Sequence, residues 1–267
     1  MKSNFIGAGL ATLVLSTFCV GAAPQAGIHQ FLELAISSDG RHVASVEGDG
    51  SPFGGEPIIR SLVIRATDGD GAAAVALPCG AVRECWPGAL AWTADGKRLV
   101  FALRTPETHA RSVYQVSADG KHLARLLAFD GTIGELRFGP GGKLAMLAVA
   151  SATKEVGATQ AGAAITGDLS GPVPEQRIGI LESGKLRWAS PADLWVYQYD
   201  WRPDGSGFIG TAARGDGDKN WWVAKLYAFG AKDGEPTVIF TPPDARHQIA
   251  DPVVSSDGRR SPSSPVS

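Results

Sequence analysis

One short turn recurs along this chain and narrows what it can fold into. Asp-Gly, or a related Gly turn, sits inside two kinds of segment that alternate strictly. The first kind follows an apolar run and precedes a short alternating strand. Its members are AISSDGRHVASV (35–46), AWTADGKRLVFAL (91–103), RFGPGGKLAMLAV (137–149), DWRPDGSGFIGTA (200–212) and VVSSDGRR (253–260). The second kind joins more exposed strands, in LVIRATDGDGAAAVAL (62–77), VYQVSADGKHLARLL (113–127), IGILESGKLRWA (178–189) and LYAFGAKDGEPTVIF (226–240). Glycine takes positive φ without a Cβ clash and Asp tolerates strained geometry beside it, so each segment reads as a tight hairpin.

Two hairpins per unit make four antiparallel strands, and units of about 45–65 residues match the blade of a β-propeller. The expectation is an all-β propeller of about four four-stranded blades plus the start of a fifth. Each blade should open with a buried inner strand, such as FLELAI (31–36), and end with a polar outer one, such as HLARLL (122–127). A β-sandwich also has many short strands, but nothing in it calls for a two-beat turn rhythm. Between 150 and 176 the rhythm lapses into Ala, Gly, Thr and Ser, which predicts a long loop inserted between the second and third strands of the third blade.

Composition removes one class of function. The 267 residues carry a formal net charge of -2 with 19% charged residues, without the basic surplus that displaces counterions from phosphates, so no nucleic-acid partner is expected. Residues 1–22 read as a secretory signal peptide: Lys2, an uncharged run from Phe5 to Val20, then Gly21 and Ala22. The run falls short of the roughly 20 residues that span a bilayer, so an exported, periplasmic chain with no membrane partner after cleavage is expected. Two cysteines then remain, Cys79 and Cys85, and in an oxidising compartment a small-loop disulfide between them is expected over two unlinked thiols. The body of the propeller should run over 23–260, followed by a disordered Ser/Pro tail at 261–267.

Chemistry-bearing motifs are sparse. No Gly-x-Ser-x-Gly occurs; GDLSG (167–171) places its serine one position late. His29, His42, His109, His122 and His247 are scattered, and no carboxylate or histidine stands out at equivalent positions of successive units. No catalytic residue, cofactor or metal is therefore expected. In RGDGDKNWW, Asp216, Asp218 and Asn220 alternate as calcium ligands would, but Trp221 stands where a calcium loop needs Gly. The plain reading is a polar turn, with Trp221 and Trp222 on opposite faces of the strand that follows. A second reading has Asp216, Asp218, Trp221 and Trp222 facing a substrate.

The segments SSDGRHVA, TADGKRLVFA and RPDGSGFIG resemble the propeller repeats of TolB-like proteins and of the prolyl oligopeptidase family of serine peptidases. The longer run WRPDGSGFIGTAARGDGDKNWWVAKLYAF (201–229) is similar to exported bacterial members described as dipeptidyl or acylaminoacyl peptidases. That resemblance implies a propeller that admits short peptides to a following α/β-hydrolase domain carrying Ser, Asp and His. Only the front of such a propeller is matched. After VVSSDGRR the expected apolar strand gives way to SPSSPVS, which reads as a truncated product, inactive alone. The alternative is a stand-alone TolB-like propeller that binds a protein or peptide partner on its face.

Overall fold

The computed structural model describes residues 28–50, 55, 57–69, 71–79, 85–105, 111–152, 175–215, 220–244, 246–258 and 264–266. The signal segment and most of the predicted insert lie outside them. Four antiparallel sheets of four strands follow one another along the chain. The first holds β1 (Ile28–Ile36), β2 (His42–Gly50), β3 (Ser61–Ala66) and β4 (Ala72–Ala74). The second holds β5 (Trp86–Trp92), β6 (Arg98–Arg104), β7 (Arg111–Ser117) and β8 (Ala124–Phe129). The third holds β9 (Gly131–Phe138), β10 (Leu144–Ala150), β11 (Arg177–Glu182) and β12 (Lys185–Trp188). The fourth holds β13 (Leu194–Trp201), β14 (Gly207–Arg214), β15 (Lys225–Gly230) and β16 (Pro236–Phe240). A last pair joins β17 (Gln248–Ala250) to β18 (Ser264–Val266).

The recurrent turn is built from a hydroxyl and a carboxylate. Ser37 donates to Asp39 at 2.6 Å, Asp39 accepts the Arg41 N–H at 3.1 Å, and Ser37 Oγ accepts the His42 N–H at 2.9 Å. Thr93 and Asp95 repeat the arrangement before β6. Ser117 and Asp119 repeat its first two bonds between β7 and β8, in a turn of the second kind. Gly40, Gly96, Gly120, Gly205 and Gly258 all take φ between 67° and 77°. The side chains thus satisfy the backbone amides that the tight turn frees, and Gly accepts the left-handed step.

Neighbouring sheets pack face to face in chain order, with β1 against β5, β5 against β9 and β9 against β13. Each seam has its own apolar core. Ala44, Val46 and Leu62 meet Leu99, Phe101 and Leu103 at the first; Val100 and Ala102 meet Leu144 and Met146 at the second. At the third, Ala145, Leu147 and Ile178 meet Tyr199, Trp201 and Phe208. Across the first and third seams an indole reaches over: Trp92 Nε1 donates to the Ala35 carbonyl at 3.0 Å, and Trp201 Nε1 to that of Arg137 at 3.1 Å. The sheets do not close into a ring.

The structure corrects the sequence reading of the fold at the first sheet and at the tail. β1 is an inner strand, yet only one of its faces is buried: Leu32 and Ala35 pack on the second sheet, while Phe31, Leu34 and Ile36 are 57%, 61% and 68% exposed. The open face carries an ionic centre. Arg65 grips Glu47 with bonds of 2.8 and 3.0 Å, and Ser45 bonds to both. Counting along the second strand of each sheet from its turn, Ser45 and Glu47 correspond to Phe101 and Leu103, Met146 and Ala148, and Gly210 and Ala212. The first sheet is therefore polar where its counterparts bury hydrocarbon. The second correction concerns the tail, where residues 264–266 form β18 instead of lying outside any sheet. The edge of β17 offers unpaired backbone groups to an extended segment, and an edge strand accommodates a proline such as Pro265.

Candidate functional site

A cavity of 930 Å³ opens along the inner edges of β1, β5 and β9. Glu33, Ile58, Trp86, Arg111, Glu135 and Arg137 are among its lining residues. Its walls come from irregularities in the inner strands. Each of β1, β5, β9 and β13 shifts register near its middle: between Phe31 and Glu33, between Gly88 and Ala91, around Glu135, and between Val196 and Gln198. A bulge of this sort turns a side chain toward the axis and frees backbone amides. Ala89, Glu135 and Asp251 take left-handed φ of 53°, 46° and 49° at this point.

These bulges share one register position, three residues before the last strand pair at the turn, occupied by Glu33, Ala89, Glu135 and Gln198, and Asp251 stands at the same distance before its own turn glycine. The side chain there reaches to the next unit. Glu33 accepts the N–H groups of Ala89 and Leu90 at 2.9 and 2.7 Å. Gln198 donates to the Asp251 carboxylate and accepts the Asp251 N–H, both at 2.7 Å. Glu135 draws on the Tyr199 backbone amide, while Tyr199 Oη donates to the Glu135 carbonyl at 2.7 Å. This recurrence overturns the expectation that no carboxylate repeats at equivalent positions. The bulge and the mixture of Glu, Ala, Gln and Asp hid it, although each residue lies seven places before its turn glycine.

The electrostatics of the cavity are mixed. Burial pushes the Glu135 carboxyl up to about 7, with the negative charge of Asp251 adding to the effect and Arg137 opposing it. Burial, and then the neighbouring Arg104, lower Arg111 to about 10. The Arg104 guanidinium lies 4.6 Å from the centre of the Trp86 ring, a cation–π contact at the rim. The site thus offers carboxyl, guanidinium and aromatic surface together. No Ser, Thr or Cys is among the described residues that line it. Among the described residues no group of three or more His, Cys, Asp or Glu side chains is placed to hold a metal ion.

Asp216 and Asp218 lie outside the described residues. Trp221 and Trp222 form a 3-10 turn, Trp221–Val223, between β14 and β15 and are 46% and 44% exposed. They do not straddle the following strand as expected, because that strand starts only at Lys225. Asn220 Nδ2 fixes the turn by donating to the Arg214 carbonyl at 3.0 Å. The turn joins the second strand of its sheet to the third, as the Arg104–Arg111 connection does beside the cavity. Cys79 and Cys85 form a disulfide with Cα atoms 6.0 Å apart, and Cys85 is buried in the first seam.

No family model matches this sequence, and no curated protein matches it. Solved structures do resemble its fold. A candidate dipeptidyl aminopeptidase IV of Bacteroides ovatus aligns with a TM-score of 0.58 at 12% identity, over 90% of this chain and 38% of that one. A candidate TolB of Agrobacterium tumefaciens gives 0.52 at 13% identity, over 87% and 68%. The β-propeller domain of the Trilobed protease from Pyrococcus furiosus gives 0.52 at 12% identity, over 83% and 61%. The described residues form an incomplete β-propeller of four four-stranded sheets and a last strand pair, and the chain spans about two fifths of the first of these proteins.

Proposed function

We propose that this propeller is a non-catalytic, peptide-binding part of an exported peptidase of the prolyl oligopeptidase type. The cavity along β1, β5 and β9 carries the reading, because Trp86 and Ile58 offer apolar surface beside charged groups of both signs. A short peptide presents the complementary set: side chains to stack, a charged end, and backbone groups to pair. The turn with Trp221 and Trp222 adds exposed aromatic surface on the connection that corresponds to the cavity rim. The likeness to propellers of peptidases supports the same reading, and the leader-like sequence at 1–22 supports export.

Hydrolysis belongs to machinery of another kind, since the sequence holds no Gly-x-Ser-x-Gly. The test is titration of a mixed library of short peptides onto the purified chain, followed by tryptophan fluorescence and mass spectrometry. Saturable binding without cleavage, weakened about tenfold by Trp86→Ala, is expected. Cleavage by the chain alone, or binding indifferent to Trp86→Ala, would overturn the proposal. A stand-alone TolB-like binding propeller is the second reading, favoured by the larger share of the Agrobacterium protein that this chain spans. It predicts capture of a folded protein instead of short peptides.

A further inference from the structure

The shared register position is filled differently at each seam, and the difference sets the third seam apart. At the first, both oxygens of Glu33 are satisfied by backbone amides. Between the fourth sheet and the last strand pair, neutral Gln198 both donates and accepts. At the third, Glu135 occupies the position with its Oε2 shielded from solvent and without a hydrogen-bond partner. An ionised carboxylate there would leave Oε2 unsatisfied, with the Tyr199 amide and the shared Arg137 alone to meet its charge, whereas a protonated one carries a smaller penalty.

We propose that the joint between the third and fourth sheets is held by the protonated form of Glu135, and that ionisation of this carboxyl favours release of the Tyr199–Asp251 side of the axial cavity. The charged groups around Glu135 point the same way. Among the described residues Arg137 on β9 is the cation that acts on it, and Arg137 is shared with Asp200 of β13 at 4.0 Å and with the Tyr199 ring. Asp251, from the segment after β17, faces Glu135 with like charge. Glu33, Arg60, Arg104 and Arg111 stand elsewhere on the cavity wall. A newly formed charge on Glu135 therefore pushes against Asp251, and Asp251 is the residue through which Gln198 holds the last strand pair.

The direction in pH follows from linkage. The closed joint keeps its proton up to about 7, whereas an opened, solvated glutamate loses it near 4.5. Opening is thus favoured progressively between those two values and levels off above the upper one. The experiment is hydrogen–deuterium exchange of the whole chain at pH 5, 6, 7 and 8, corrected for intrinsic exchange rates. Amides of β13 and of residues 248–254 are expected to lose about tenfold in protection between pH 5 and pH 7, with β2 and β6 unchanged. Glu135→Gln should abolish the dependence, and Asp251→Asn should shift its upper limit to lower pH. Equal dependence in wild type and Glu135→Gln, or none in the wild type, would overturn the proposal. If Glu135→Gln fails to fold, the Asp251→Asn shift decides alone. An unmoved limit would sink the idea.

Discussion

Gln198 and Asp251 hold each other by two hydrogen bonds of 2.7 Å, one from the Gln198 side-chain amide to the Asp251 carboxylate and one from the Asp251 backbone N–H to Gln198 Oε1. Both occupy the same register position in consecutive units, so a residue here is bound by its own repeat one unit further on. Glu33 does the same to the bulge at Ala89, through the backbone alone. Where this position is polar, the seams are therefore fastened by hydrogen bonds at their inner edge and by apolar contact over their faces.

Replacing Glu33 by Ala should strip two bulge amides of their acceptor at once. Charge-assisted bonds of this kind contribute about 1.5–3 kcal/mol, so the loss in unfolding free energy should be about 2 kcal/mol. Urea titration of the variant would check it. A change under a few tenths would show that water replaces the carboxylate freely.

Gly139 occupies the turn position where other units carry Ser37 and Thr93, which makes Gly139→Ser look harmless in sequence. A Cβ there would collide with the ring of Trp201, whose Nε1 is committed to the Arg137 carbonyl. Gly139→Ser should therefore cost about 1–3 kcal/mol by overpacking. Thr93→Ser in the corresponding turn should cost less than 0.5 kcal/mol. Comparing the two in thermal melts gives the answer.

On the open face of the first sheet, burial pushes the Glu47 carboxyl up, but the hydrogen bonds from Arg65 and Ser45 more than offset this and hold it below its ordinary value. Arg65→Ala should leave that carboxylate stranded. The expected cost is about 1–3 kcal/mol, below the range for fully buried pairs because Arg65 is 39% exposed. Replacing the centre by hydrocarbon, as S45F/E47L/R65V, should recover stability while promoting self-association in analytical ultracentrifugation.

The turn aspartates give an acid limb of defined sign. Hydrogen bonds from Ser37, Thr93, Ser117 and Ser206 hold Asp39, Asp95, Asp119 and Asp204 below the ordinary carboxylate value of 3.8. A depressed folded-state value means stability that is complete above 3.8 and lost as pH falls below it. Glu135 acts oppositely, costing stability as pH rises from about 4.5 to about 7. Urea midpoints should fall steeply below pH 4 in both wild type and Glu135→Gln, while the gentle decline between 4.5 and 7 should vanish in the variant.

How much of this was legible depends on the range of the interaction. The turns could be read directly, because hydroxyl, carboxylate and glycine act within six residues of one another, as Ser37 to His42 show. The chain order of the sheets follows from those turns. The inner-edge fastening could not be read so easily, since its partners, Glu33 with Leu90 or Gln198 with Asp251, lie more than fifty residues apart, across bulges that break the alternation. The open face of the first sheet was also hidden. FLELAI alternates in the same way whether one side or both sides are covered, and only Ser45, Glu47 and Arg65 opposite mark the difference.

Ala89 is the one occupant of the shared register position without a polar side chain, so this position gives the second and third sheets no side-chain hydrogen bond, and Ala89 instead packs on the apolar core between them. Apolar attraction fades on cooling, whereas hydrogen bonds do not share that weakness. Chilling should therefore slacken this boundary before its neighbours, and the molecule would part in the cold along a plane that heat does not single out.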